Sequence, residues 1–451
     1  MLIEIILWGL FINIEAELKA MKEKMILLSS GKCAWGECFA CGWGRLTGPP
    51  PSMHRLKDIV DEKFHELRKE KIDRLKIFAS GSFLDDRQFP ATIRRYIVKK
   101  CVEQNILDFV VESRPEFVTP ERLADFSGVK LTVAIGLEVA DNEMLKKYRK
   151  GFTVEDYAKA AETLHANGCM VRTYLMIGLP FVTDYEAMTK KSVEFARKYS
   201  DSIVLINTFP HSAAPIFDAW VSGEWRPLDK KHFKEIVKPY TDCETEFDNF
   251  AFVPKFHRER QEPIRGAGIK QLLHPYFELW QDYFTRFYEP PAGKDILLFI
   301  PCAFRKPYQF SQLHKAIFGV LEKLKIYPRL HVVVISSPGV IPYEFCGHYP
   351  FSRYDWPEWE ETPEIKKKYI EVTQKRIENY LRAHGKHYKK FYDYFKLEAE
   401  SYVALKSACE KFGINVTDCL QPDTYEKIKD QKNMLTRDEA LSDLNSAFSQ
   451  R

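Results

Sequence analysis

The sequence is poor in cysteine, almost balanced in charge and short of long apolar runs. Ten cysteines among 451 residues are too few for a disulfide scaffold. Lys and Arg number 67 against 63 Asp and Glu, a formal charge of +4. Bulk charge therefore gives no argument for a nucleic-acid partner, and any such surface must be local. No apolar stretch reaches the roughly 20 residues of a membrane span. The nearest, Met1–Asn13, carries Glu4 and lacks the basic start and small-residue cleavage site of a signal peptide. It is expected to be an extra helix, or an upstream start ahead of Met21 or Met25. The protein is accordingly expected in the cytoplasm, with no membrane partner. Internal repeats and low-complexity tracts are also missing. What is there is ordinary globular composition, 45% hydrophobic and 29% charged, enough for two or three domains at about 150 residues each.

Short apolar runs alternate with amphipathic stretches from Met25 onward. Strands are expected at Met25–Leu28, Leu75–Ala79, Phe109–Glu112, Leu131–Leu137, Met170–Met176 and Ser202–Asn207. Helices are expected at Met53–Lys69, Thr92–Glu103, Val154–Asn167 and Asp184–Lys198, where apolar residues recur every three or four positions. This alternation predicts an α/β fold with parallel strands, a barrel or a doubly wound sheet, and polar residues cluster just after the strands. A Pro-rich hinge, Phe287–Gly293, precedes a second pattern: strands Asp295–Ile300 and His331–Ser336 around a helix Ser311–Leu324. Beyond Glu360 the tail reads as largely helical, over Glu364–Ala383 and then over His387–Phe412, where a break is allowed for. The expected divisions are an extension 1–24, a first domain 25–290 and a smaller α/β domain 291–451 with a helical tail.

Three of the few cysteines fall within nine positions, Cys33, Cys38 and Cys41, just after the first strand. Three thiolates so close suit three corners of a 4Fe–4S cluster, with the fourth iron open. A structural zinc site wants four ligands, and no second Cys or His pair lies nearby. Zinc or an unligated set are the alternatives. Cys101 and Cys169 stand alone and read as small packed residues.

Further segments follow the later strands: Ser80-Gly-Ser-Phe-Leu-Asp85, Val111-Glu-Ser-Arg-Pro-Glu-Phe-Val118, Gly136-Leu-Glu138, Met176-Ile-Gly-Leu-Pro180, and Asn207 through Ser222-Gly-Glu-Trp-Arg-Pro227. In this order they resemble the radical S-adenosylmethionine superfamily, in the branch near the elongator catalytic subunit and the archaeosine-forming radical-SAM lyase. The likeness covers about residues 25–229. It implies a partial (β/α)6 barrel, a 4Fe–4S cluster on Cys33, Cys38 and Cys41, and S-adenosylmethionine cleaved to a 5′-deoxyadenosyl radical. It also implies an electron donor such as a ferredoxin or flavodoxin. Four residues, not the commoner three, separate the first two cysteines. Ala40 stands where an aromatic is usual, so Trp43 or Phe39 is the candidate ring. In this frame Gly81 and Ser82 would meet the methionyl group, Glu112, Arg114 and Glu138 the ribose and carboxylate, and Gly178 and Pro180 would shape the adenine turn.

In the second pattern Cys302, Lys306, Tyr308, Ser311 and His314 converge at a strand end. A cysteine between strand and helix is expected to have a lowered pKa and to act as a nucleophile. A buried cysteine with a polar cap is the alternative. The run Pro301-Cys302, Lys306-Pro-Tyr308, Ser311, His314 resembles the signature of archaeosine synthases, which join lysine to the nitrile of 7-cyano-7-deazaguanine in tRNA. The likeness extends over about residues 287–394, through Tyr288-Glu-Pro, Ser336 to Pro342, Tyr349-Pro and Tyr354-Asp-Trp-Pro357. The chain lacks that family's transglycosylase-like front half and any recognisable PUA-type module.

Together the resemblances imply a radical-SAM lyase that cleaves the lysine C–N bond of the tRNA adduct, fused to a domain able to form that adduct, with a separate synthase subunit as a further partner. The alternatives are radical chemistry on 7-deazaguanine in DNA or on another tRNA base, and a non-catalytic partner that docks the synthase on tRNA. Two basic stretches are candidate RNA surfaces or plain solvated faces. One is Lys146–Lys150. The other runs from Glu361 to Phe395, nine Lys and Arg against five acids with Tyr369, Tyr380, Tyr388, Tyr392 and Tyr394 interleaved.

Overall fold

The computed structural model describes residues 22–28, 30–46, 48–247 and 253–449. The expected helix over Met1–Asn13 lies outside them. Two compact units divide at 251/252, some forty residues before the boundary expected at 290. The reason is the helix Pro275–Arg286, whose aromatic face packs within the second unit. Trp280 lies against Phe345 and Phe351, and its indole N–H donates to the Tyr349 carbonyl at 3.0 Å.

The first unit is a parallel half-barrel of seven strands in sequential order: β1 Glu23–Leu27, β2 Arg74–Phe78, β3 Asp108–Glu112, β4 Lys130–Glu138, β5 Met170–Ile177, β6 Ser202–Asn207 and β7 Glu244–Glu246. Six match the strands expected from the alternation. β7 is an addition, since its three residues, Glu-Thr-Glu, carry no apolar signal. Helices between the strands start at caps. Ser52 caps Met53–Leu67, and Thr153 with Asp156 forms a reciprocal capping box on Val154–Ala166. One continuous core fills the unit, with Leu75, Ile77, Phe109, Val111, Val133, Ile135, Val171 and Leu205 buried. At about 1.5–3 kcal/mol for each large apolar side chain, this packing fixes the strand ends on which the site is built.

In the second unit the strands are β8 Ile264–Arg265, β9 Ile296–Pro301, β10 Leu330–Ser336, β11 Gly339–Pro342, β12 Tyr354–Asp355, β13 Lys390–Asp393 and β14 Val416–Asp418. Five form a sheet ordered β11-β10-β9-β13-β14, parallel except for the β10–β11 pair. The chain leaves β9 for β10 on one side and returns to β13 on the other. A topological switch point therefore falls between β9 and β13, and open α/β sheets bind ligands beyond the carboxyl ends of the strands there. Cys302 follows β9 at that point.

The tail departs from its helical expectation. Pro363–His384 is a helix, but the stretch from 387 to 412 gives β13 and then a helix Glu400–Lys411. The interleaved tyrosines are core rather than RNA surface, each at most 9% exposed. Four of their hydroxyls are satisfied inside. Tyr380 meets Tyr388 at 3.1 Å, Tyr388 meets His331 at 2.6 Å, Tyr369 meets Ser401 at 2.7 Å, and Tyr394 donates to the Leu435 carbonyl. Among the described residues no helix is long and apolar enough to cross a membrane.

Candidate functional site

In the first unit a cavity of about 220 Å³ opens at the carboxyl ends of β1 to β5. It is lined by Cys33, Cys38, Cys41 and Trp43 from the loop after β1, by Gly81 after β2, Glu112 and Arg114 after β3, Glu138 after β4, and Lys150. The cysteine loop is held from outside the cavity. Trp35 donates its indole N–H to the Arg149 carbonyl at 2.6 Å, and Phe39 its backbone N–H to the Tyr148 carbonyl at 2.9 Å. Gly151 has φ +73°, and a Cβ there would lie 2.5 Å from the Trp35 ring, so glycine alone lets the ring seat.

Lys150 is the residue that sequence reasoning misplaced. Read as part of a solvated basic patch, it is only 8% exposed and pairs with Glu138 at 2.8 Å on the cavity wall. Burial works against its ammonium, yet Glu138 and Cys38 beside it carry its pKa above the ordinary value. Glu138 adopts φ +68° at a register shift in β4, a conformation costing on the order of 1 kcal/mol for a residue with a Cβ. The local backbone is thus bent to hold the pair. The preceding helix stops at Lys147, and the positive φ of Arg149 takes the chain out of it before Lys150.

The other expected residues separate into two groups. Glu112 lines the cavity, and its carboxyl makes no hydrogen bond among the described residues. Burial, with Glu138 and Glu246 adding, pushes its carboxyl up to about 8, so it is a neutral acid at pH 7. Arg114 does not pair with Glu112. Its guanidinium binds Glu116 and donates to the Lys150 carbonyl at 2.8 Å, while lying 5.3 Å from the Trp35 ring centre. It positions the Lys150 loop. Ser82 is removed from ligand contact by its own bonds. Its N–H goes to Gln88 at 2.7 Å, and its hydroxyl accepts from the Arg114 N–H at 3.0 Å. Trp43 is exposed and meets His211 edge-on at 5.1 Å. Gly178 lies in a neighbouring narrow cleft that shares Glu138, and its carbonyl accepts from Trp225 at 2.9 Å. Pro180 offers its carbonyl to the Tyr148 hydroxyl.

The second constellation tightens around different partners from those expected. Cys302 has a hydrogen bond from Ser336 and lies near Lys306, but burial outweighs both and raises its thiol pKa. The expected lowering fails because the helix begins at Gln312, ten residues later. Lys306 Nζ sits 3.9 Å from the Tyr354 ring centre, and burial lowers its pKa. Tyr308 and Ser336 both hydrogen-bond the Tyr354 hydroxyl. Ser311 is a helix cap, accepting from the His314 N–H at 3.1 Å. His314 is fully buried, hydrogen-bonds the Pro301 carbonyl at 2.9 Å, and is held neutral with its pKa lowered to about 4 by burial. Ser311 and His314 therefore brace the strand end, while Lys306, Tyr308 and Tyr354 gather beside Cys302. Tyr354 and Ser336 were not singled out as site residues.

A parallel half-barrel with three cysteines on a cavity at its carboxyl end defines the class of the first unit. It is a radical SAM domain, and residues 27–192 match the Radical SAM superfamily. Residues 277–445 match a second family, described as a domain of unknown function, DUF5591. Among curated relatives, the chain is 29% identical over 218 residues to archaeosine synthase subunit beta of Methanosarcina acetivorans, covering 46% of this chain and 63% of that protein. It is 32% identical over 202 residues to the subunit beta of Thermococcus kodakarensis, covering 42% and 62%. It also matches archaeosine synthase subunit alpha of Methanosarcina acetivorans, 32% identical over 153 residues, covering 32% and 22%. The chain thus spans less than two thirds of each of these relatives.

A radical SAM domain works with a 4Fe–4S cluster and S-adenosylmethionine, and the cavity fits both. Among the described residues no three acidic, His or Cys side chains converge on one ion position. The cysteines are instead spread along the cavity wall, and a cluster takes one thiolate per iron. The Lys150–Glu138 pair supplies a cation and an acceptor for an amino-acid group, and Glu112 supplies a neutral donor for hydroxyls.

Proposed function

We propose that the first unit performs the cleavage step of archaeosine formation in tRNA, breaking the lysine C–N bond of the adduct on 7-deazaguanine, and that the second unit forms this adduct. The observation that carries the reading is the presence, on one chain, of a three-cysteine cavity and a separate, half-buried thiol–amine pair. The relatives named archaeosine synthase subunits beta and alpha support the pathway.

When bound, cluster and cofactor supply a carbon-centred radical able to abstract hydrogen. This chain's residues do the rest. Cys33, Cys38 and Cys41 would hold the cluster, Lys150 and Glu138 would meet the carboxylate and amine of the methionyl group, and Glu112 would donate to a ribose hydroxyl. Trp35 and Arg114 keep the Lys150 loop closed over the cysteine loop.

In the second unit the Cys302 thiol adds across the nitrile. A C–S bond forms, and the thiol proton goes to the nitrile nitrogen, relayed through the Lys306 side chain. The lysine substrate's amine then forms the C–N bond, the C–S bond breaks, and a proton from the amine restores the thiol. Burial raises the pKa of Cys302 and lowers that of Lys306, disfavouring the charged form of each and easing proton transfer within the site. The test is mass spectrometry of tRNA nucleosides after incubating reconstituted protein with cyano-base tRNA, lysine, S-adenosylmethionine and a reductant. Formation of the lysine adduct and then archaeosine supports the reading. Absence of both, with S-adenosylmethionine still cleaved, points to DNA or another tRNA base as substrate.

A further inference from the structure

Trp359, 74% exposed, and Phe304, 68% exposed, are the two most exposed large hydrophobic side chains among the described residues. They lie against each other, ring centres 5.9 Å apart. Single exposed apolar residues are common, but two large rings paired at a surface mark a binding patch. Both lie at the Cys302 site, Phe304 in the loop after β9 and Trp359 in a single 3-10 turn, Glu358–Glu360. Phe304 is two residues beyond Cys302, and Lys306 Nζ lies 6.0 Å from the Phe304 ring centre. Trp359 follows Glu358, whose charge acts on both Cys302 and Lys306. Asp355, close enough to act on Lys306, has a buried Oδ1 with no hydrogen-bond partner.

An unpartnered buried carboxylate oxygen needs a donor. The flanking carboxylates of Asp355 and Glu358 repel phosphate, so the occupant must bring N–H groups and a flat apolar face, not an anion. A guanine-type base has both, with N1–H and the 2-amino group adjacent on its Watson–Crick edge. An adenine-type base lacks the N1–H. Enzymes that modify a base take it out of the stack, and aromatic side chains replace its lost neighbours.

We infer that Phe304 and Trp359 form a stacking platform for an unstacked guanine-type base of RNA, and that Asp355 reads the N–H edge of that base beside Cys302. The inference rests on the reading of the second unit as acting on 7-deazaguanine. It adds which residues of this chain recognise the base, and it makes the acidic rim a specificity device.

The test uses the full chain and two single-stranded RNA pentanucleotides, one with a central 7-deazaguanosine and one with a central 7-deazaadenosine. Neither carries a nitrile, so neither reacts with Cys302. Titration calorimetry should show the wild type preferring the deazaguanosine oligonucleotide. Trp359→Ala and Phe304→Ala should each weaken binding of both oligonucleotides by about tenfold, while Trp359→Phe largely restores it. Asp355→Asn should abolish the preference between the two. Melting temperatures of the ring variants should match the wild type, because both rings are exposed. Equal binding by the ring variants, a preference surviving in Asp355→Asn, or no preference in the wild type would overturn the inference. The pathway reading fails separately. Base preference with the expected variant effects, but no archaeosine from tRNA, upholds the platform and removes the pathway. Archaeosine formed at the wild-type rate by Trp359→Ala does the opposite.

Discussion

In the first unit an ammonium and a carboxylate, Lys150 and Glu138, stay 2.8 Å apart on the wall of an open cavity. In the second, Lys306 lies over the Tyr354 ring at 3.9 Å, with no acid at ion-pair distance among the described residues. Both sites occupy the carboxyl ends of parallel strands, so topology alone does not separate them. Their treatment of charge does. The first cavity keeps charges ready to be exchanged for those of an incoming amino-acid group and offers its thiols to a cluster. In the second, burial disfavours the charged forms of a thiol, an amine and an imidazole. One site prepares to bind a reagent, whereas the other holds its own.

The comparison can be broken most forcefully at the cysteines. Cys38→Ala should bring cluster absorbance and 5′-deoxyadenosine formation to background while leaving adduct formation at Cys302 intact. Cys302→Ala should do the reverse, abolishing lysine addition with 5′-deoxyadenosine production unchanged. Either substitution silencing both activities would mean that the two sites are not independent.

The neutrality of the second site has a pH signature. The pKa of His314 is lowered from 6.5 to about 4, so the folded state binds fewer protons than the unfolded state between those values. Its contribution is present above pH 6.5 and is lost as pH falls toward 4, by about 3 kcal/mol at 1.36 kcal/mol per pKa unit. Denaturation of His314→Gln across this window should show a flatter pH slope than the wild type. Equal slopes would remove His314 from the account.

Charge exchange in the first site predicts a smaller effect. Lys150→Met leaves Glu138 unpaired and should weaken S-adenosylmethionine binding by roughly ten- to a hundredfold, measured by equilibrium dialysis, with iron content unchanged. Lys150→Arg should recover part of the affinity. Unaltered binding by Lys150→Met would show that the pair only braces the loop.

Much of this was legible before the structure. The six-strand alternation, the cysteine spacing and the Cys302 run follow from periodicity and motif, because buried parallel strands need apolar runs and clusters need adjacent thiols. The losses have physical causes. Lys150 looked solvated because burial of a charge depends on a partner, Glu138, brought close only by the β4 bulge. Ser82 looked free because it donates to Gln88 and accepts from Arg114, which follows a different strand. The tail tyrosines looked like an RNA surface because tyrosine beside lysine reads the same in a core with internal hydroxyl partners. β13 went unseen since four residues, Lys-Phe-Tyr-Asp, are too few to show a period of two. The Phe304–Trp359 pair joins rings fifty-five residues apart, a contact that no local pattern encodes.

The central claim, two separate chemistries on one chain, is tested most directly by complementation. Cys38→Ala and Cys302→Ala proteins are each incubated with cyano-base tRNA, lysine, S-adenosylmethionine and reductant, then mixed, with nucleosides read by mass spectrometry. Cys38→Ala alone should accumulate the lysine adduct, Cys302→Ala alone should leave the nitrile untouched, and the mixture should yield archaeosine. A mixture that makes no archaeosine, while the wild type does, would contradict the account.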